Sequence, residues 1–87
     1  MLFVDDVTVV LSPAEWEICA RPIVGDGGAQ CLLRDLLAAM IDEHQILATY
    51  VQLDRAYQYA YSYGGGGFQD RFRAIIKAAL RAGWAPK

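Results

Sequence analysis

Apolar positions along the chain form short strand-like runs and longer stretches with helical spacing. Residues 7–11 (VTVVL) and 46–53 (ILATYVQL) have the β-branched and aliphatic composition of strands. Two further stretches repeat apolar side chains at intervals of one, three and four, as one face of a helix does. The first stripe comprises Leu32, Leu33, Leu36, Leu37, Met40 and Ile41. The second comprises Phe68, Phe72, Ile75, Ile76, Ala79 and Leu80. The pattern predicts two strands, each followed along the chain by an amphipathic helix.

The two helical stretches look like copies of one segment. Residues 27–39 (GGAQCLLRDLLAA) match residues 66–78 (GGFQDRFRAIIKA) at an offset of 39 residues. The five identical pairs are Gly27 with Gly66, Gly28 with Gly67, Gln30 with Gln69, Arg34 with Arg73 and Ala39 with Ala78. A shared glycine pair, glutamine and arginine in one register are hard to obtain by chance, so we interpret them as an internal duplication. The predicted repeats span about 6–43 and 46–84.

A candidate short helix precedes each long one. Ser12, Pro13 and Glu15 have the spacing of a capping box with proline at the first helical position. Residues 54–63 are ambiguous, because their tyrosines alternate as in a strand while alanines and tyrosines four apart also make a helical face. Since the matching stretch after Ser12 is predicted to be helical, the repeat favours a helix here as well.

These elements predict one helix-dominated α+β domain over residues 1–87, built from two tandem βαα repeats with a period of about 39 residues. Residues 6–11 and 46–52 are expected to form a small two-stranded sheet. Because two strands alone make a marginal sheet, helix packing is expected to supply most of the stability. We predict an approximate two-fold relation between the halves, with the stripes of the long helices packed against each other and against the sheet.

A glycine pair stands before each long helix, and its predicted role is to start that helix. Glycine allows a sharp backbone turn and can serve as the N-cap. A glutamine follows three residues after the first glycine of each pair, so its amide can reach back to the N–H of the cap. The residues assigned to this structural role are Gly27, Gly28, Gln30, Gly66, Gly67 and Gln69.

Composition limits the chain to one modest hydrophobic core. Of the 87 residues, 55% are hydrophobic and 21% are charged, which excludes a disordered or low-complexity protein. The longest uncharged stretch, residues 56–69, contains four glycines, two glutamines and a serine, so no membrane span is predicted. The start, MLFVDDVTVV, has two aspartates where a secretory signal carries basic residues, so a cytoplasmic location is expected.

Charge is divided unevenly between the two halves. Residues 1–44 carry two basic and eight acidic side chains, a net charge of −6, whereas residues 45–87 carry six basic and two acidic ones, a net charge of +4. In the last predicted helix, Arg73, Lys77 and Arg81 are four residues apart and form a basic stripe. These charges are either solvated faces that suit the helix dipoles or a field that steers a charged partner.

No group of residues has the spacing of a catalytic or cofactor site. The glycine runs at 25–28 and 64–67 lack the GK[ST] of a phosphate-binding loop and the GxGxxG of a dinucleotide fold. His44 is the single histidine, and with the two acids before it a solvated connection is favoured over a metal site. Cys19 and Cys31 lack CxxC spacing and are expected to be small buried hydrophobes. The expectation is therefore a protein that is not an enzyme, with no catalytic residue, metal or cofactor.

Two features point to a macromolecular partner. All five tyrosines lie within residues 50–63, and one helix cannot bury all of the last four on a single side. Some rings are expected at the surface, where tyrosine favours recognition, unless the fold or a homodimer covers both faces. A short helix, a glycine turn and a longer helix also outline a helix-turn-helix, although a pI of 5.1 disfavours nucleic acid. The candidate partner-binding residues are Tyr57, Tyr59, Tyr61, Tyr63, Arg71, Arg73, Lys77 and Arg81.

Three segments together carry a resemblance to a known group of proteins. LSPAEWE (11–17), GGAQCLLRDL (27–36) and YSYGGGGFQDRFR (61–73) resemble small proteins of bacteriophages and mobile elements that have no assigned activity. Such proteins are often accessory factors, including inhibitors of host defence or regulators of host enzymes. The resemblance implies a bacterial cytoplasm and a macromolecular target, and it assigns no functional residue.

The function expected from these features is that of a small non-enzymatic protein-interaction module, an accessory factor or inhibitor encoded by a phage that binds a bacterial host protein. The alternative is a helix-turn-helix-like nucleic-acid-binding regulator that uses its basic last helix. A protein binder should depend on exposed aromatic anchors, whereas a nucleic-acid binder should lose affinity steeply as salt rises.

Overall fold

The described residues form an α+β fold of four helices and a three-stranded sheet. The computed structural model describes residues 6–23, 25, 27–42, 44–62 and 68–86. The strands are β1 (Asp6–Val10), β2 (Met40–Asp42) and β3 (Gln45–Thr49). The helices are α1 (Pro13–Cys19), α2 (Gly28–Ala38), α3 (Tyr50–Tyr61) and α4 (Gln69–Arg81). Helices α2, α3 and α4 pack against the strands, and α1 packs on α4. The predicted helix-dominated α+β class is confirmed.

The sheet is antiparallel, in the order β1-β3-β2, so β3 is the central strand. β1 pairs with β3 in an unbroken register from Asp6 opposite Thr49 to Val10 opposite Gln45. Successive side chains point to opposite faces of a strand, and one face of this sheet is buried beneath the helices. The buried side chains of that face are Val7, Val9, Ile46 and Ala48. The predicted pairing of the two strand-like segments is confirmed.

The third strand, β2, occupies residues that were predicted to end the first long helix. α2 stops at Ala38, and Met40 and Ile41 of the predicted helical stripe belong to β2. The N–H of Leu47 donates to the carbonyl oxygen of Ala39 at 3.1 Å, so the chain leaves α2 directly onto the second edge of β3. Pairing with that edge satisfies backbone groups of the central strand, which helical spacing alone does not reveal. The prediction of a two-stranded sheet is therefore wrong.

His44 has a structural position in the turn between β2 and β3. Its φ of 64° lies in the left-handed region, which a non-glycine residue adopts mainly at tight turns. Its ring stacks on Trp16 with 5.3 Å between centroids, and its carbonyl oxygen accepts from the N–H of Leu11 at 2.8 Å. The predicted solvated connection is thus a half-buried turn held against α1.

Two capping boxes start the helices that follow β1 and β3. In α1, the Ser12 hydroxyl accepts from the N–H of Glu15 at 3.2 Å, and the Ser12 N–H donates to the Glu15 carboxylate at 2.8 Å. In α3, the Thr49 hydroxyl accepts from the N–H of Gln52 at 3.1 Å, and the Thr49 N–H donates to Oε1 of Gln52 at 3.0 Å. The first box was predicted and is confirmed. The second box ends β3 at Thr49, so the last three residues of the predicted strand are helical, and the tyrosine segment that follows is helical as far as Tyr61.

α4 is the central helix of the core. Its buried residues are Arg71, Phe72, Ala74, Ile75, Ile76, Ala78 and Ala79. It packs on α3, on α1 and on the buried face of β1, whereas α2 packs on α3 and β3. α3 buries Leu53, Ala56 and Ala60 and packs on both long helices. The main helix contact of each long helix is therefore with α3, and the predicted packing of the two stripes on each other stays a prediction. Leu80, which was assigned to the second stripe, is 46% exposed.

The repeated glycine and glutamine positions have different geometry in the two halves. Gly27 is the N-cap of α2, and a Cβ built on it would lie 2.6 Å from Oε1 of Gln30, so Gln30 has its amide beside the cap while its bond to the cap N–H stays a prediction. In α4 the N-cap is Phe68 and Gln69 is the first helical residue, so Gln69 does not occupy the predicted third position. Gly66 and Gly67 lie outside the described residues.

Candidate interaction surface

Arg71, the first of the predicted partner-binding arginines, is buried and serves the fold. Its Nη1 and Nη2 atoms donate to the carbonyl oxygens of Arg21 and Pro22 at 2.8 and 3.0 Å. Its guanidinium carbon lies 4.9 Å from the centroid of the Phe68 ring. With only 9% of its surface exposed, this side chain fastens the segment after α1 to α4 and is not accessible to a partner.

The arginine that the two predicted repeats share ties each long helix to the segment before it. Arg34 in α2 donates from Nη2 to the carbonyl oxygen of Ile23 at 3.2 Å. Arg73 in α4 donates from Nε to the carbonyl oxygen of Ala60 at 2.9 Å, and its guanidinium carbon lies 5.2 Å from the centroid of the Tyr61 ring. The Ala60 carbonyl lies in the last turn of α3, where carbonyl groups lack intrahelical partners. A structural tie accounts for an arginine at both positions.

Arg81 joins the C-terminal end of α4 to α1 and β1. Its Nη1 and Nη2 atoms donate to the two carboxylate oxygens of Glu15 at 3.0 and 2.5 Å, and Nη2 also donates to the carbonyl oxygen of Val10 at 3.2 Å. The hydrogen bond from Arg81 lowers the pKa of the Glu15 carboxyl; desolvation opposes this shift and the bonds from Ser12 add to it. The same ion pair raises the pKa of Arg81.

Lys77 differs from Arg71, Arg73 and Arg81, which together with it form the predicted basic set on α4. It is exposed, and it forms no hydrogen bond or ion pair with another described residue. The set therefore does not present four free cations. Three of its members, Arg71, Arg73 and Arg81, hold backbone carbonyls or a carboxylate of this chain.

Tyr59 is a half-buried link between α3, α2 and α4. Its ring stacks on Phe72 with 5.3 Å between centroids. A Cβ built on Gly28 would lie 2.8 Å from the Tyr59 hydroxyl, so the glycine at the start of α2 makes room for this ring. Tyr59 belongs to the interior contacts of the fold.

Tyr57 and Tyr61 lie on another face of α3, as the helical spacing requires. Tyr57 is half-buried, with its ring centroid 5.1 Å from Tyr61 and 6.2 Å from Trp84. Tyr61 is 47% exposed and is the accessible ring of this pair. Tyr63 lies outside the described residues. The tyrosine cluster is therefore partly core and partly surface.

The face of the sheet opposite the helices carries an apolar strip that the sequence analysis did not single out. Val10, Leu47 and Ile41 are 51%, 37% and 57% exposed, and they lie on β1, β3 and β2. Met40 opposes the buried Ile46, so Ile41 beside it faces outward. We call Val10, Ile41 and Leu47 the outer strip. It crosses all three strands of the described sheet.

A sequence signal for the outer strip was available. Strands with one buried face normally carry polar residues at the outward positions. In β1 and β3 the outward positions include Val10 and Leu47, which break that alternation. Once the pairing of the two strands is predicted, these two side chains stand out as apolar groups on the wrong face.

Histidine, cysteine and acidic side chains are the groups of this chain that could hold a metal ion or act as a nucleophile. They contain no group of three or more His, Cys, Asp or Glu side chains that could hold a metal ion. Cys19 is buried as predicted, and burial raises the pKa of its thiol to about 12, with the nearby Glu15 charge adding to the shift. Cys31 is exposed, so the prediction that it is buried is wrong. Two open grooves of about 290 and 260 Å³ border α4, and neither is lined by a histidine or a cysteine.

Compared with family models, curated proteins and solved structures, the chain matches none of them. Within the part of the chain that the structure describes, no helix has both the length and the apolar character needed to cross a membrane.

Proposed function

We propose that this protein is a non-enzymatic interaction module that binds another protein through the outer strip. The observation that carries the proposal is the placement of exposed Val10, Leu47 and Ile41 on three adjacent strands, on a sheet face that no described helix covers. Side chains of this kind are normally buried, and a contiguous exposed apolar patch is typical of an interaction site.

The partner is expected to present apolar side chains flanked by basic ones. Asp6 is exposed and lies on the same face of β1 as Val10, because the two positions are separated by an even number of residues. β1 and β2 belong to the half of the chain with a net charge of −6. Opposite charge on the partner favours the encounter and fixes its orientation.

A nucleic-acid-binding regulator that uses α4 is the alternative, and the contacts of the basic residues support it less. Arg71, Arg73 and Arg81 each hold a group of this chain, which leaves Lys77 as the basic side chain of that set with no described partner. Phosphate binding relies on several available cations, and a pI of 5.1 adds no general attraction. These observations favour a protein partner.

The finer form of the proposal is an accessory factor or inhibitor, encoded by a phage, that acts on a bacterial host protein in the cytoplasm. Its support is the sequence resemblance carried by LSPAEWE, GGAQCLLRDL and YSYGGGGFQDRFR. A bacterial lysate is accordingly the place to search for the partner.

We also infer that the chain consists of two βαα units related by an approximate two-fold axis. In support, Thr8 lies opposite Leu47 in the sheet, and these residues are separated by 39 positions, the offset of the repeated motif. α4 packs on β1 and α1, and correspondingly α2 packs on β3 and α3. In an experimental structure, superposing β1 and α2 on β3 and α4 should require a rotation near 180°. A very different rotation would contradict the duplication.

Affinity capture from bacterial lysate, with and without nuclease, tests the proposed function. We compare the wild type with Leu47→Lys in the outer strip and with Leu80→Lys, which alters an exposed leucine of α4 outside the strip. One stoichiometric protein should survive nuclease, be retained by Leu80→Lys and be lost with Leu47→Lys. Capture that disappears with nuclease would support the nucleic-acid alternative. Capture that Leu47→Lys leaves intact would contradict the role of the outer strip.

A further inference from the structure

The two edges of the sheet differ in regularity. β2 is three residues long, and its register with β3 shifts between Met40 and Asp42. β1, the other edge, has five residues in unbroken register. Short strands and bulges protect a sheet edge from further pairing, whereas a regular edge strand is open to it. β1 is therefore the edge that can accept another strand.

The edge of β1 away from β3 pairs with no other described strand, and the direction of its hydrogen-bonding groups follows from the pairing with β3. The N–H of Leu11 donates to the carbonyl oxygen of His44, so the backbone N–H and C=O groups of odd-numbered residues of this strand point toward β3. In an antiparallel pair the groups of alternate residues point away from the neighbouring strand. The outward backbone groups therefore belong to Asp6, Thr8 and Val10. The bond from Arg81 to the Val10 carbonyl oxygen, which comes from outside the sheet, agrees with this direction.

We propose that β1 pairs antiparallel with β1 of a second copy of this chain, joining two sheets in the order β2-β3-β1-β1-β3-β2. A two-fold axis at Thr8 places Thr8 opposite Thr8 and Asp6 opposite Val10 of the second copy. In this register every outward N–H and C=O group of both strands has a partner. The Val10 carbonyl oxygen has two lone pairs, so it can accept from Arg81 and from the added strand.

Charge at the two ends of β1 favours this occupant and this orientation. Asp6 is exposed at one end and has no ion-pair partner among the described residues. Arg81 lies at the other end, where it binds the Glu15 carboxylate and the Val10 carbonyl oxygen and keeps further N–H groups for a second carboxylate. Antiparallel pairing brings Asp6 of each copy toward Arg81 of the other, whereas parallel pairing would set Asp6 against Asp6. Opposite charges across paired strands stabilise the pair and like charges destabilise it.

The joined sheet has a consequence for the open face. A two-fold axis perpendicular to the sheet leaves both outer strips on the same side, so the dimer would present two copies of Val10, Leu47 and Ile41 on one surface. The inference does not depend on the proposed partner, because it rests on the register, the edge groups and the charges of β1. If no dimer is found, the outer-strip proposal is unaffected, because affinity capture from lysate tests it separately.

Sedimentation velocity of the full chain over a range of concentrations tests the dimer. The wild type should show a reversible species of twice the 9.6 kDa monomer mass. Thr8→Pro removes one outward N–H and leaves the bonds between β1 and β3 in place, because proline is tolerated where the N–H faces away from the sheet. This variant should be monomeric with an unchanged far-UV circular dichroism spectrum.

Asp6→Arg is the second variant, and it reads out the charge pairing with little risk to the fold. It should raise the dimer dissociation constant by about tenfold or more, because two attractive contacts become repulsive. Asp35→Arg, the same change at an exposed acid of α2, is the matched control and should leave the constant unchanged. If Thr8→Pro fails to fold, the dimer dissociation constant of Asp6→Arg tests the proposal instead.

Two results would overturn the proposal. One is a wild type that stays monomeric up to about 1 mM. The other is a dimer that persists unchanged in the folded variants Thr8→Pro and Asp6→Arg, which would place the dimer interface elsewhere.

Discussion

α2 and α4 begin near copies of one sequence motif but hold different positions in the fold. α4 buries seven residues, whereas α2 buries three. α4 is enclosed by α3, α1 and β1, while α2 lies at the side of α3 and β3. Both keep an arginine that binds a carbonyl of the preceding segment. The shared motif thus provides each helix with an arginine that binds the preceding segment. The neighbouring elements determine how much of each helix is buried.

A carboxylate in the core of either helix should have the largest effect. Ile75 in α4 and Leu36 in α2 are both fully buried. Ile75→Asp and Leu36→Asp should each cost more than about 4 kcal/mol, because an unpaired charge enters an apolar interior. A domain of this size has a stability of about 5–10 kcal/mol, so thermal melts should show largely unfolded or severely destabilised protein.

Lys77→Asp is the surface control for Ile75→Asp, since it introduces the same group two residues away. Lys77 is exposed, so the free energy of unfolding should change by less than about 0.5 kcal/mol. A loss close to that of Ile75→Asp would mean that the faces of α4 are assigned wrongly.

The two shared arginines allow a matched test at an intermediate magnitude. Arg34→Ala and Arg73→Ala each remove a hydrogen bond to a backbone carbonyl, and each should lower the free energy of unfolding by about 1 kcal/mol. Arg73→Ala also removes the contact between the Arg73 guanidinium and the Tyr61 ring. Urea unfolding measures both. If Lys77→Ala were equally costly, the effect would come from helix charge and not from these bonds.

The capping box of α1 contains a charged Glu15 and that of α3 a neutral Gln52. Removing the charge of Glu15 should change the free energy of unfolding least among these variants. Glu15 binds Arg81, so its pKa in the folded protein lies below the ordinary value of 4.5. The resulting stabilisation is present above that value and is lost as the pH falls through the lowered pKa. Glu15→Gln keeps an oxygen for the Ser12 N–H, so at pH 7 it should be less stable than the wild type by under about 1 kcal/mol. When the free energy of unfolding is measured from pH 7 down to acid, the values for the wild type and Glu15→Gln should converge.

The neutral box in α3 is the control for that pH dependence. Gln52 has no charge to titrate, so the cost of Gln52→Ala should be the same at every pH. A difference between the wild type and Glu15→Gln that persists in acid would contradict the role of the charged pair.

Local signals in the sequence were sufficient for much of the fold. The capping box of Ser12 and Glu15 and the burial of Phe72 and Ile75 follow from spacing within a few residues, and the structure has them as predicted. The box of Thr49 and Gln52 was also present in the sequence and would have ended the second strand correctly.

Other features depend on contacts between distant segments, which spacing does not reveal. β2 forms because the central strand has a second edge to satisfy, so Met40 and Ile41 leave the helical pattern. Arg71 has the sequence signature of a surface cation, and only the fold brings it to the carbonyls of Arg21 and Pro22. The same reason explains why the basic set was predicted as an interface and is largely structural.

Methyl NMR of the labelled protein, titrated with the partner captured from lysate, tests the central claim most directly. If the outer strip is the binding surface, the methyl signals of Val10, Ile41 and Leu47 should shift or broaden, and those of Leu80 on α4 should stay in place. Shifts confined to Leu80 and its neighbours, with the outer strip unchanged, would contradict the account.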